Sequence, residues 1–399
     1  VVAVPFYPAR KASFSLTANN LDKSPVFSNL GWTLRPFWPI ERTLNYGRPG
    51  RPHHRLIHRQ QKGKAMSLRI AINGFGRIGR NVMRAYIEGS WPGIEIVAVN
   101  GLGSLEQAAF LLEMDSVHGR LASPVAISGG SFDAGSGPVR YVSEANPANL
   151  DWGALGVDLV MECSGKFTDR DKAALHLQSG ASRVLVSAPS KGADLTVVYG
   201  INHQIIGADH QVISNASCTT NCLAPVAQVL HQLGGIQQGF MTTIHSYTGD
   251  QRLLDADHSD PYRARAAGLN MIPTTTGAAK AVGLVLPELN GKLDGVAIRV
   301  PTPNVSAVDL TAVTDRKLTA EQVNEAMVAA AESGPLAGVL ATTDRPLVSS
   351  DLNHHPASSI CHLDQTRVMP DGMVRVFSWY DNEWGFSNRM LDVARQIAA

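Results

Sequence analysis

Cys218 stands behind the small polar run Ser214-Asn215-Ala216-Ser217 and ahead of Thr219-Thr220-Asn221-Cys222, where a helical pattern (Leu223 to Leu233) is about to begin. Helix starts carry free N–H groups and a partial positive charge, and both lower a thiol pKa. That setting points to a thiolate nucleophile. A neutral thiol attacks poorly at pH 7, and a nearby imidazole can hold it as a thiolate. His245 is the candidate: it follows the strand-like Phe240–Ile244 and opens Ser246-Tyr247-Thr248-Gly249-Asp250-Gln251-Arg252. Isolated histidines are more often structural, but this one ends a strand beside polar, glycine-bearing sequence, where site residues collect. Cys222 shares a helical face with Cys218. A metal site would need two further ligands at suitable spacing, and the sequence offers none, so no metal is expected and Cys222 reads as packing.

These residues need a scaffold. Leu68–Ile72 reads as a buried parallel strand running into Asn73-Gly74-Phe75-Gly76-Arg77-Ile78-Gly79-Arg80, then a helix to about Glu88. The spacing G-x-G-x-x-G is weak evidence alone. Between a strand and a helix it marks a turn where phosphates rest on helix N–H groups. Gly74, Gly76, Arg77, Ile78 and Gly79 are therefore candidate dinucleotide contacts. A second strand, Ile94–Val99, follows at βαβ distance. An acidic side chain usually ends that strand and holds the ribose hydroxyls. Here it ends Asn100-Gly101-Leu102-Gly103, which removes an acceptor for NAD and also a repulsion against the 2′-phosphate of NADP. NAD with a relaxed preference is expected. Strands are also expected at Val157–Glu162, Arg183–Ser187 and Leu195–Tyr199, with a helix over Asp169–Ser179. Ser164 and Ser187, just past strand ends, could line the cofactor cleft or be ordinary turn serines.

The whole chain has 399 residues, 44% hydrophobic and 17% charged, enough for two domains. No apolar run is long enough to span a bilayer. Four cysteines are too few for a disulfide framework and suit a reducing compartment. Residues 1–65 carry eleven Lys/Arg against two Asp/Glu, with seven prolines and no sustained period. They read as a disordered leader, a transit peptide, or an upstream segment not normally made, translation then starting at Met66. The remainder has 24 basic against 32 acidic residues, which argues against nucleic acid as principal partner.

Asn73–Arg80, Ser214–Cys222, His245–Arg252, Asn270–Leu289 and Tyr380–Phe386 together resemble phosphorylating glyceraldehyde-3-phosphate dehydrogenases, over nearly all of 66–399. The resemblance implies an α/β fold: a Rossmann-type doubly wound parallel sheet domain (66–217), an α+β catalytic domain with a mostly antiparallel sheet (218–382), and a last helix (383–399) packing back on the first domain. It implies Cys218 as nucleophile and His245 as base. Thr248 and Arg299 match the substrate-phosphate site. Ser217, Thr219, Arg263, Thr276 and Gly277 match the attacking-phosphate site, and Asn382 matches the residue orienting the nicotinamide amide. From its own setting, Arg299 lies in an apolar strand pattern where an unpaired charge is costly. Arg263, near Arg252 and Arg265, reads equally as a surface ion pair.

The implied reaction converts glyceraldehyde 3-phosphate, inorganic phosphate and NAD to 1,3-bisphosphoglycerate, in a cytoplasmic homotetramer. The loop from Tyr247 to about Asn270 resembles one that meets a neighbouring subunit's cofactor cleft. It departs from the family at Pro261 and Tyr262, and Asp257 would oppose a 2′-phosphate. Two rivals stand beside this reading: an erythrose-4-phosphate dehydrogenase, disfavoured by Tyr247-Thr248-Gly249, and a non-catalytic binding protein.

Overall fold

The computed structural model describes residues 67–399, and the expectations for 1–65 lie outside the described residues. Apolar runs buried on both faces make the first sheet. In Leu159–Glu162, for instance, every side chain is buried. The strand order is Leu195–Thr196, Val212–Ser214, Arg183–Val186, Leu159–Glu162, Leu68–Asn73, Ile94–Asn100, Val139–Val142, Ser131–Asp133, Ala126–Ser128. The first seven run parallel, and the last two add an antiparallel edge. The central strand Leu68–Asn73 feeds the glycine turn and the helix Arg77–Glu88.

The second sheet is mostly antiparallel, as expected. Its order is Ile272–Thr275, Leu293–Val300, Ile236–Ser246, Ser306–Thr314, Met373–Tyr380, Ser359–His362, Leu340–Thr343, with Arg367–Val368 beside Met373–Tyr380. Two neighbours depart: Ile236–Ser246 runs parallel to Leu293–Val300, and Leu340–Thr343 parallel to Ser359–His362. The parallel register sets His245 opposite Arg299. The helix Cys218–Gly234 lies across this sheet. Its Leu223, Val226 and Leu230 share a core with Met241, Val308 and Leu310. The final helix, Trp384–Ala398, packs Met390, Leu391 and Val393 against Val82 and Met83 of Arg77–Glu88.

Two expected elements are corrected. Leu195–Tyr199 is a strand only over Leu195–Thr196, because Asn202 Oδ1 captures the Val198 N–H and the chain turns at Gly200, at a φ of 88°. Asp169–Ser179 is two short helices broken at Ala174, whose ψ is −11°. The helix starts at Cys218, where a helix start was expected, and its apolar pattern follows from Leu223. No helix among the described residues is long and apolar enough to cross a membrane.

Candidate active site

Cys218 is the first residue of its helix, capped by Ser217, whose Oγ accepts from the Thr220 N–H at 3.0 Å. Just before the cap, Ala216 takes a φ of 55°. A left-handed alanine costs about 1–2 kcal/mol, and the strain persists where surrounding structure fixes it. Here the Ala216 N–H is held by Ser214 Oγ at 3.1 Å. The bend turns the strand Val212–Ser214 of the first sheet into the helix that covers the second.

Cys218 Sγ lies 3.6 Å from His245 Nε2. On the other side of the ring, Nδ1 is 2.7 Å from the Ser246 carbonyl. A carbonyl only accepts, so Nδ1 carries the proton and Nε2 offers its lone pair to the thiol. Arg299 Nη1 lies 3.2 Å from Nδ1 and donates to Ser246 O and Thr248 Oγ1 at 3.3 Å each. Its buried Nε has no partner, and no carboxylate pairs with it among the described residues.

The electrostatics amend the expected source of activation. Burial pushes the Cys218 thiol up; the Arg299 charge, the Thr219 hydroxyl and the Thr219 and Cys218 N–H groups oppose it without cancelling it. Burial, then Arg299, holds His245 down at about 3. The imidazole is therefore a neutral base at pH 7, and the cation that the sulfur meets is Arg299.

The other expected phosphate ligands already have partners. The Thr219 hydroxyl bonds Tyr380 Oη at 2.8 Å, and Tyr380 in turn bonds Thr243. Thr276 Oγ1 accepts from the Ala278 N–H. Gly277 caps the helix Ala278–Val285 and opens onto empty space. Arg263 is clamped by Asp250 at 2.8 Å and by Asp260 at 3.5 Å, the ion-pair reading of this residue. Cys222 is buried beside Ser359, as packing. No group of three or more His, Cys, Asp or Glu able to hold a metal occurs among the described residues.

A cleft of about 400 Å³ opens at the carboxyl ends of the parallel strands, bordered by Gly74, Gly76, Ser164, Gly101 and Tyr141 among others. Its glycines fit a dinucleotide. A Cβ on Gly76 would meet nothing within 4 Å, which leaves the helix start open to a diphosphate. A Cβ on Gly74 would come within 2.5 Å of the Ser164 backbone, so two turns close the cleft floor. The Arg77 guanidinium is taken by Asp115 and Glu383; what Arg77, Ile78 and Gly79 have to offer is backbone N–H. The Ser164 hydroxyl donates to Glu162, and Ser187 sits at the next strand end beside Cys163, outside the cleft lining. Asn382 Oδ1 accepts from Ser246 and Ser306 hydroxyls at 2.8 Å each, which fixes its amide with Nδ2 outward from that pair.

Several contributors escaped the sequence reading. Glu162 is a buried carboxylate joining Asn73, Ser164 and His176, and an acid closing an apolar strand was its signal. Ser306 and Tyr380 brace site residues from neighbouring strands, and no local pattern marked them. Arg80 and Lys166 border the cleft.

A parallel sheet with a glycine turn, joined to a second sheet whose His245 meets a cysteine at a helix start, is the arrangement of an NAD-binding oxidoreductase. The family model for the glyceraldehyde 3-phosphate dehydrogenase NAD binding domain matches residues 68–170, and that for its C-terminal domain matches 217–382. The chain is 62% identical over 329 residues to a glyceraldehyde-3-phosphate dehydrogenase of Xanthobacter flavus, covering 82% of this chain and 98% of that protein. To that of Cereibacter sphaeroides it is 63% identical over 329 residues, with the same coverage. To that of Geobacillus stearothermophilus it is 54% identical over 335 residues, covering 84% and 99%. The chain belongs to the glyceraldehyde-3-phosphate dehydrogenase family.

Proposed function

We propose that the protein carries out the phosphorylating oxidation of glyceraldehyde 3-phosphate to 1,3-bisphosphoglycerate in the cytoplasm, with NAD as the main acceptor and NADP tolerated. The observation that carries this reading is a thiol 3.6 Å from a neutral imidazole, with a guanidinium on the ring's far side that no carboxylate pairs among the described residues. Arg299 and Thr248 would hold the substrate phosphate, since a guanidinium without an anion in a buried setting favours one.

Cys218 gives its thiol proton to His245 Nε2 as the sulfur attacks the aldehyde carbon, and the imidazolium returns that proton to the carbonyl oxygen, giving a thiohemiacetal. His245 Nε2 then removes the hydroxyl proton as the carbon loses its hydrogen with two electrons, leaving a thioester on Cys218. NAD, when bound, supplies the two-electron acceptor. A phosphate oxygen then bonds to the thioester carbon and its proton passes to solvent; the C–S bond breaks, the sulfur takes the proton held on His245, and the acyl phosphate is released. Arg263, Ser217, Thr219, Thr276 and Gly277 would steer this second phosphate, and Arg263 must first leave Asp250. Asn382, pinned through Oδ1, would position the nicotinamide amide through Nδ2. The backbone of the glycine turn, with Ser164 at a strand end, would hold the rest of the dinucleotide.

A homotetramer is part of this proposal. The outer face of the second sheet exposes Phe240 and Val296, and the loop after His245 exposes Leu253, 86% accessible, and Met271. Apolar groups so grouped mark a protein interface. The test is NADH formation with phosphate present and absent. Sustained turnover only with phosphate is expected; phosphate-independent turnover to a free acid would replace this reading with a hydrolytic aldehyde dehydrogenase.

A further inference from the structure

The second strand of the dinucleotide domain ends without an acid, and the space that a side chain there would use is already filled. A Cβ on Gly101 would lie 2.6 Å from Tyr141 Oη, 3.3 Å from its Cζ and 3.4 Å from the Phe75 Cβ. Tyr141 is tethered at its backbone and at its hydroxyl. It sits in the strand Val139–Val142, opposite Val99 of the neighbouring strand. Its hydroxyl donates to the Gly103 carbonyl at 2.9 Å, and the Gly101 N–H donates to the Val142 carbonyl at 3.1 Å. Backbone and side chain thus lock the phenol over residue 101, in the wall of the cleft.

We propose that Tyr141 is the ribose-specificity residue of this chain, its phenol oxygen standing in for the missing carboxylate. This rests on the dinucleotide reading given above and adds which side chain sets the choice. With its proton spent on Gly103, the phenol oxygen keeps lone pairs that accept from a ribose hydroxyl, as a carboxylate would. Unlike a carboxylate, it is uncharged and does not repel a 2′-phosphate. Arg80, which also borders the cleft, donates Nη1 to the Phe75 carbonyl and has an unpartnered Nε, so its charge is not cancelled by a carboxylate among the described residues. The outcome is weak discrimination between NAD and NADP, set by a pair of residues: glycine at 101 and tyrosine at 141.

The pair predicts a reversal of sign. Tyr141→Phe removes one neutral acceptor and weakens NAD binding by about 3- to 10-fold. Gly101→Asp alone weakens both dinucleotides, because the new side chain meets the phenol. Added to Tyr141→Phe, the same Gly101→Asp strengthens NAD binding and still weakens NADP. Quenching of intrinsic tryptophan fluorescence, titrated with each dinucleotide, reads all four proteins without turnover. The assignment is overturned if Gly101→Asp strengthens NAD binding while Tyr141 is present, or if Tyr141→Phe changes neither affinity. The second criterion stands alone should the aspartate variants fail to fold. If the unaltered protein binds neither dinucleotide, the underlying reading falls together with the Tyr141 assignment.

Discussion

Arg299 and Arg263 lie in the same C-terminal domain, and the fold treats their charges in opposite ways. Arg299 comes from an interior strand whose register sets it opposite His245, and no acid pairs with it among the described residues. Arg263 comes from a loop and is held by Asp250 and Asp260. Regular structure can keep a charge without a counterion where the paired strands forbid retreat. A loop cannot, and it closes onto the nearest carboxylate. On the proposed function, the site for the substrate phosphate would be assembled in advance, while that for the attacking phosphate would have to exchange an internal anion for an external one.

The largest effects should fall on the centre that both anion sites serve. Cys218→Ser should lower kcat by about 10⁴-fold or more, in steady-state NADH formation. His245→Asn removes the base and should lower kcat by about 10²- to 10⁴-fold; a loss below tenfold would assign proton removal elsewhere. Arg299→Leu should raise KM for glyceraldehyde 3-phosphate by about 10- to 100-fold, as for a lost charged hydrogen bond. The same variant tests the electrostatics. Arg299 opposes the upward push of burial on the thiol, so its loss moves thiol ionisation to still higher pH. Alkylation of Cys218 at pH 7 should slow, and the midpoint of its pH profile should rise. Meanwhile His245, released from the neighbouring cation, should titrate above its present value of about 3. The smallest effect isolates the second arginine. Asp250→Asn frees Arg263 from a half-exposed ion pair worth about 0.2–1 kcal/mol. KM for phosphate should fall by about 1.5- to 5-fold, and a rise would mean that the pair positions the loop and does not compete with phosphate.

The same contrast explains what the sequence could tell. Cys218, His245 and Arg299 were legible because helix starts and strand ends give directions that periodicity reveals. Both sheets followed from their apolar runs, although the nucleophile helix begins five residues before its apolar pattern. The reach of the Arg263 side chain was not legible, since its partner Asp250 lies thirteen residues away across an irregular loop. Nor was Tyr141, in a strand of four residues, too short to show a pattern. The push of burial on the thiol was not legible, for a physical reason. A helix start and an imidazole are local features that sequence displays, whereas the burial that outweighs them is a property of the packed domain.

The most direct test is to mix the protein with NAD and glyceraldehyde 3-phosphate, leave phosphate out, and examine the Cys218 peptide by mass spectrometry. An acyl adduct on that sulfur, stoichiometric with the NADH formed and discharged when phosphate is added, is the predicted result. NADH formation with Cys218 unmodified throughout would contradict it.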